Sequence, residues 1–296
     1  MKISNVLNTK APKATIKKSG MSSLGIRNTR WLSFPYILWM VGFIIIPLIV
    51  ILYYGMTTND KQFTLENISS ILNPINLRAL LFALRLSLIS TVICLILAYP
   101  LAMILNKSKM KSNSFIVMII ILPMWMNFLL RTIAWQNILE RTGIINTVLK
   151  FFNLPMLNII NTPSAIVLGM VYNFLPFMVL PIYNVLIKID KDIVNAARDL
   201  GANSRQTLFK IILPLSLPGV ISGITMVFVP SLTTFVISNI LGGSKIVLIG
   251  NVIEQQFRIG NWHTGSGLSL VLMIFILISM AILSKYDKES EGSNLW

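Results

Sequence analysis

Six stretches of this sequence stay apolar for long enough to cross a membrane, and nothing else about the chain constrains its fold as strongly. A helix rises about 1.5 Å per residue, so about 20 mostly apolar residues cover the roughly 30 Å of bilayer hydrocarbon. The stretches fall at about 31–54, 80–105, 115–135, 164–186, 217–241 and 268–283. Each must be helical, because a backbone group left unpaired in lipid costs several kcal/mol and the stretches outrun the strands of a closed barrel. The expected fold class is an all-α polytopic membrane protein with six transmembrane helices. Composition agrees, with 55% hydrophobic and 12% charged residues where soluble domains carry about 25% charged.

The formal net charge is +15, which in a soluble protein would point to nucleic acid. Its placement points to lipid instead. Lys2, Lys10, Lys13, Lys17, Lys18, Arg27 and Arg30 precede the first apolar stretch, and residues 1–30 contain no acid. This segment reads as a basic cytoplasmic tail held against anionic headgroups, with no nucleic-acid partner. Lys107, Lys109 and Lys111 in the second connection, Lys188, Lys191, Arg198, Arg205 and Lys210 in the fourth, and Lys285 and Lys288 at the end lie on the same side. The other connections hold Lys61, Arg78, Arg141, Lys150, Lys245 and Arg258. The positive-inside rule then places both termini in the cytoplasm. The expected organisation is a tail at 1–30, one six-helix domain at 31–284 and a cytoplasmic C-terminal tail at 285–296, in the cytoplasmic (inner) membrane. The first stretch begins too late and runs too long for a cleaved signal and reads as a retained span. Cys94 is the sole cysteine, so no disulfide forms within the chain.

The connection between the fourth and fifth stretches, DIVNAARDLGANSRQTLFKIILPLSLPGV, is too polar for lipid yet patterned. Asp190 or Asp192 can cap a short helix through Ala196 and Ala197, and Gly201 supplies the left-handed residue that commonly ends one. The register Ala196, Ala197, three residues, Gly201, nine residues, Ile211, one residue, Leu213, Pro214 resembles the E-A-A loop of ABC importer permeases, with Asn195 where that loop carries Glu. Adjacent alanines let a helix sit deep in a partner's groove. The chain carries no G-x-x-x-x-G-K-[ST] phosphate loop, so ATP is expected on a separate subunit.

Further stretches, LRTIAWQNILERTGIIN at 130–146, GMVYNFLPFMVLPIY at 169–183 and LGGSKIVLIGNVIEQQF at 241–257, are similar to permeases of spermidine/putrescine importers. The resemblance runs from about residue 31 onward. It implies a type I ABC importer permease fold, a second permease subunit in a heterodimer, an extracytoplasmic solute-binding protein and a dimer of cytoplasmic ATP-binding subunits. It also implies that ATP and Mg belong to those subunits, with no cofactor and no catalysis in this chain, and that Asn195, Ala196, Ala197, Gly201, Ile211, Leu213 and Pro214, within a loop at 188–214, couple to the ATPase. The resemblance departs at FVPSLTTFVIS, residues 228–238, where similar permeases tend to carry an acid near Thr233 or Thr234.

A path for polyamines would offer aromatic faces, amides and carboxylates to a cation with methylene stems. Trp125, Asn127, Trp135, Tyr172, Asn173 and Tyr183 are the candidates within the spans. Trp and Tyr also belong to interfacial belts, and amides also bond helix to helix. Glu140 and Glu254 fall near the outer surface, as salt-bridge partners or cation collectors. Arg131 would repel a polycation and reads as a structural ion pair or a gate. Gly219 and Gly223 form a G-x-x-x-G spacing that permits a close helix contact. Pro123, Pro176, Pro181, Pro214 and Pro218 are expected to bend or break helices. His263, without Cys or acid nearby, is not expected to bind metal. Another small cation or organic solute would leave this reading otherwise intact. An ion-gradient transporter would need an intramembrane carboxylate, which none of the six stretches carries at depth.

Overall fold

The computed structural model describes residues 34–107, 118, 122–243 and 245–292. The basic tail at 1–30, Lys109 and Lys111, Ser244 and parts of the first and third expected spans lie outside the described residues. The chain divides into two compact units, one ending at Ile49 and one beginning at Val50. The first is helical from Phe34, within α1 (Phe34–Gly55). The second contains α2 (Glu66–Ser69), α3 (Pro74–Lys107), α4 (Phe128–Leu139), α5 (Ile144–Phe151), α6 (Pro163–Leu186), α7 (Lys191–Asp199), α8 (Ser204–Thr233), α9 (Val236–Leu241), α10 (Ile249–Arg258) and α11 (Trp262–Gly292).

Among the described residues, five helices are long and apolar enough to cross a membrane: α1, α3, α6, α8 and α11. The described part of the third expected span is not one uninterrupted helix. A 3₁₀ turn at Leu122–Trp125 is followed by a break, and α4 starts afresh at Phe128. The cause is local. Pro123 cannot donate within a helix, and Asn127 folds its side chain onto the amides of Leu129 (2.8 Å) and Leu130 (3.4 Å) to cap α4. The fifth expected span is also divided: α8 stops at Thr233, Thr234 is extended (ψ 133°), and α9 begins at Val236. Thr233 Oγ1 bonds the carbonyl of Val229 at 3.2 Å, competing with the backbone for the bond that would continue the helix.

In the second unit, α3, α6 and α8 pack on one another, and α11 packs on α8 and α10. Lipid is as apolar as leucine, so hydrophobicity does not drive such contacts, and small residues that allow close approach do. The buried face of α3 carries Ala79, Ala83, Ser87, Ser90, Cys94, Ala98 and Ala102 at helical spacing, while Leu81, Leu88, Val92 and Ile96 are exposed. Ser90 Oγ meets Met170 Sδ at 3.3 Å and Asn106 Nδ2 donates to the Leu186 carbonyl at 3.2 Å, so α3 and α6 run parallel. The G-x-x-x-G of α8 faces α6. A Cβ at Gly219 would sit 2.8 Å from the Pro181 carbonyl oxygen, and one at Gly223 would sit 2.7 Å from Met178 Sδ. These contacts climb α8 while descending α6, so the two helices are antiparallel, and Tyr99 on α3 joins Ser216 on α8 at 2.9 Å.

Prolines act here in two ways. Pro176, Pro181 and Pro218 lie inside α6 and α8 without interrupting them, so the breaks allowed for at these positions do not occur. Pro47 and Pro214 instead follow short π-helical segments, Val41–Ile45 and Leu208–Ile212, in which Ile46 and Leu213 donate to Val41 and Leu208. A proline ring crowds the carbonyl four residues back, here Phe43 and Lys210. The helix widens before it, and the preceding amide reaches one residue further.

Candidate coupling loop and translocation cavities

The loop at 188–214 is a helix closed at both ends. Asp190, not Asp192, is the cap, its Oδ1 accepting from Asp192 N at 2.9 Å. At the other end Gly201 has φ +85°. Its amide donates to Arg198 O (2.9 Å) and that of Ala202 to Ala197 O (3.0 Å), the paired bonds of a Schellman motif. Asn203 then caps α8 reciprocally with Gln206, at 2.8 and 2.9 Å. Three residues, Leu200, Gly201 and Ala202, separate the end of α7 from the cap of the next helix, and the amides of all three are bonded back onto α7.

The two alanines face different ways. Ala197 is buried and Ala196 exposed. Ile193, Ala196 and Leu200 fall at i, i+3 and i+7, one face of a helix, and all three are exposed, Leu200 at 89%. This leaves an apolar stripe on an otherwise polar helix. Asn195 is exposed and lies on the opposite side by helical geometry. Ile211 and Leu213 are half-buried at the π segment, and Pro214 is exposed.

Of the path candidates, the structure brings Trp135 and Tyr172 together, edge to face with ring centroids 5.2 Å apart. Both line a cavity of about 730 Å³ between α3, α4 and α6, with Arg85 in its wall. Asn173 is 1% exposed. Its Nδ2 donates to Gly169 O at 2.9 Å, and its Oδ1 has no partner. Asn127 is spent on its cap, Trp125 is exposed, and Tyr183 is half-buried about three turns further along α6. Arg131 is 7% exposed, yet its Nε and Nη1 have no hydrogen-bond partner, so the expected ion pair is absent among the described residues. His263 makes a structural contact, Nδ1 lying 3.1 Å from the Tyr54 carbonyl and its ring edge-on to Tyr54.

Two further cavities lie toward the end opposite α7. One, of about 740 Å³, is walled by Thr233, Phe235, Glu254, Phe257, Arg258 and Met273, among others. The other, about 1110 Å³, is lined by Arg78, Arg85 and Lys245 with amides such as Asn73 and Gln255. Asn251, which the sequence reading passed over, braces this region. Its Oδ1 accepts from Ser238 Oγ (2.7 Å) and Leu248 N (2.9 Å), and its Nδ2 donates to Asn239 Oδ1 (2.7 Å) and Phe235 O (3.2 Å). An asparagine closing a capping turn between two apolar segments was the available signal.

Residues 95–286 match the model of the binding-protein-dependent transport system inner membrane component. The chain belongs to this family. It is a multi-pass inner-membrane transport subunit. It is 35% identical over 259 residues to the spermidine/putrescine transport system permease protein PotB of Haemophilus influenzae, covering 84% of this chain and 91% of that protein. The PotB of Escherichia coli K12 is 37% identical over 253 residues, 82% and 92% of the two chains. A chain of the bacterial alginate ABC transporter, crystallised in complex with an alginate pentasaccharide-bound periplasmic protein, superposes with a TM-score of 0.73 at 14% identity, over 86% of this chain and 92% of its own. The fold is that of a type I ABC importer permease.

Proposed function

We propose that this chain is a permease subunit of an ATP-driven importer of spermidine/putrescine-class polyamines. The observation that carries the cargo is the 35–37% identity, over more than four-fifths of the chain, to two spermidine/putrescine permeases. In this reading six spans cross the membrane with both termini in the cytoplasm, the third being the 115–135 stretch. A second permease completes the path, a solute-binding protein delivers cargo outside, and an ATPase dimer holding ATP and Mg docks inside at α7.

The physical case for α7 as the coupling element is its rigidity and its stripe. Caps at both ends keep it from fraying, so force applied to it moves it as a body. Ile193, Ala196 and Leu200 offer an apolar ridge of the kind that fills a partner's groove. The capping box at Asn203 hands the motion to α8, whose 30 residues span about 45 Å and end at Thr233 beside the 740 Å³ cavity. Ile211, Leu213 and Pro214 shape the π segment through which that motion passes.

The test is ATP-dependent uptake of radiolabelled spermidine and putrescine by vesicles holding the chain with its partner permease, ATPase and binding protein. Saturable uptake by wild type is expected. Gly201→Val should reduce it severely while the complex still assembles, because a β-branched residue at φ +85° costs about 1–2 kcal/mol and opens the C-terminal cap. Robust ATPase stimulation by some other solute, with no polyamine taken up, would overturn the cargo.

A further inference from the structure

We infer that the cavity at the end of α8 is an alkylammonium-binding site whose anion is Glu254, and that Arg258 is its built-in competitor. The inference rests on the polyamine reading. Three cavities have been described, and their charge separates them. The one between α3, α4 and α6 has Arg85 in its wall, and the largest has Arg78, Arg85 and Lys245; neither has an acid. A polyamine entering either would meet like charge. Only the third is lined by a carboxylate.

Its other walls suit the rest of such a ligand. Phe235 and Phe257 offer ring faces to a cation, Thr233 and Ser269 offer hydroxyl acceptors, and Met273 and Leu277 offer apolar surface to the methylene stem. Glu254 enters the wall from α10, and α8, which ends at Thr233 in the same wall, carries no acid along its length.

The carboxylate is held by Arg258, one turn further along α10, whose Nε donates to Oε1 at 2.8 Å and whose Nη2 bonds the same oxygen. The two ends of this pair differ in exposure: 24% for the Glu254 side chain and 72% for Arg258. The guanidinium can therefore leave into water without being stranded, and an exposed pair is weak. An ammonium arriving from the cavity side replaces Arg258 on Glu254, so the carboxylate keeps a cationic partner throughout while the displaced guanidinium is solvated.

The two halves of this ion pair should therefore act on binding with opposite sign. Equilibrium binding of radiolabelled spermidine would be measured on the purified complex of both permeases and ATPase, without binding protein, for wild type, Glu254→Gln and Arg258→Gln. Glu254→Gln should weaken binding about tenfold or more, as loss of a charge-assisted hydrogen bond does. Arg258→Gln should tighten it a few-fold and reduce its dependence on salt. If the pair merely braces α10, both variants will shift binding in the same direction, along with thermal stability, or neither will shift it, and the site is refuted. Absence of measurable wild-type binding refutes it too. Wild-type vesicle uptake distinguishes the failures: spermidine import with unaltered variants removes only this site, whereas import of another solute alone removes the polyamine reading beneath it.

Discussion

Gly219 and Gly223 have the same spacing from α6 but not the same neighbour. The Cβ of a Gly219→Ala variant would meet a backbone carbonyl oxygen at 2.8 Å, whereas that of Gly223→Ala would meet first the thioether of Met178 at 2.7 Å. A methionine side chain can turn aside, and a backbone can yield only by moving α6. Gly219→Ala should therefore cost about 1–3 kcal/mol and Gly223→Ala clearly less, which detergent thermal-denaturation midpoints of the two variants would rank. The reverse order would mean that α6 and α8 are not packed as described. The spacing was visible in the sequence, but which glycine meets backbone was not, since that depends on the register between two helices at positions more than 30 residues apart. Asn251 was illegible for a related reason. Its partners, Phe235, Ser238, Asn239 and Leu248, are brought to it only after α8 has broken and α10 has come to lie against α9. Replacing it with leucine should leave several buried groups unpaired, at about 1–3 kcal/mol for each, and proteolysis should then find the connection between α9 and α10 first.

Elements were legible where the chain itself supplies their ends. The helix α7 was readable because its signals are local: Asp190 before it, Gly201 after it, alanines between. The break in α8 was hidden, because Phe235 to Leu241 continue the apolar run and hydropathy does not register a threonine hydroxyl turning onto Val229. The π segment at Leu208–Ile212 was equally hidden, although Pro214 was marked as disruptive. The ring of Pro214 leaves α8 continuous and widens it, which rotates everything before it about the helix axis, including the capping box that carries α7. Pro214→Ala restores a donor and removes the ring, so the segment should tighten to regular α-helix. Expression and thermal stability should hold or rise slightly, while transport falls because α7 is turned away from its groove. Site-directed spin labels on α7 and on α11 would report the change as an altered distance distribution. An unchanged distribution together with lost transport would locate the fault elsewhere.

The molecule as a whole separates what the fold decides from what side chains decide. A chain from an importer of alginate, an acidic polysaccharide, superposes on this one at 14% identity, so the architecture carries no preference for the sign of the cargo. What superposes is the arrangement of helices, which in this chain meet on faces of small residues, on α3 and at Gly219 and Gly223 of α8. The spans were legible from hydropathy and the α8 contact from its G-x-x-x-G spacing, whereas the face of α3 was not read. Cargo, by contrast, must be sought in a few charges such as Glu254, whose surroundings no linear pattern displays. Coupling should belong with the fold, and this makes it testable apart from cargo. If α7 is where ATP-driven closure enters, Leu200→Asp puts a charge at the C-terminal end of the apolar stripe, on the C-cap residue of α7, while leaving the backbone bonds of that cap and Gly201 in place, since the Leu200 side chain is 89% exposed. The variant should fold, reach the membrane and bind spermidine at the α8 cavity like wild type, yet fail to retain the ATPase on affinity purification or to raise ATP hydrolysis when the loaded binding protein is added. Asn195→Asp, on the opposite side of the same helix, should leave retention unchanged if the stripe alone makes the contact. Loss of ATPase retention by Asn195→Asp with Leu200→Asp intact would move the docking face to the polar side of α7 and would require the helix to approach its partner turned by about half a revolution.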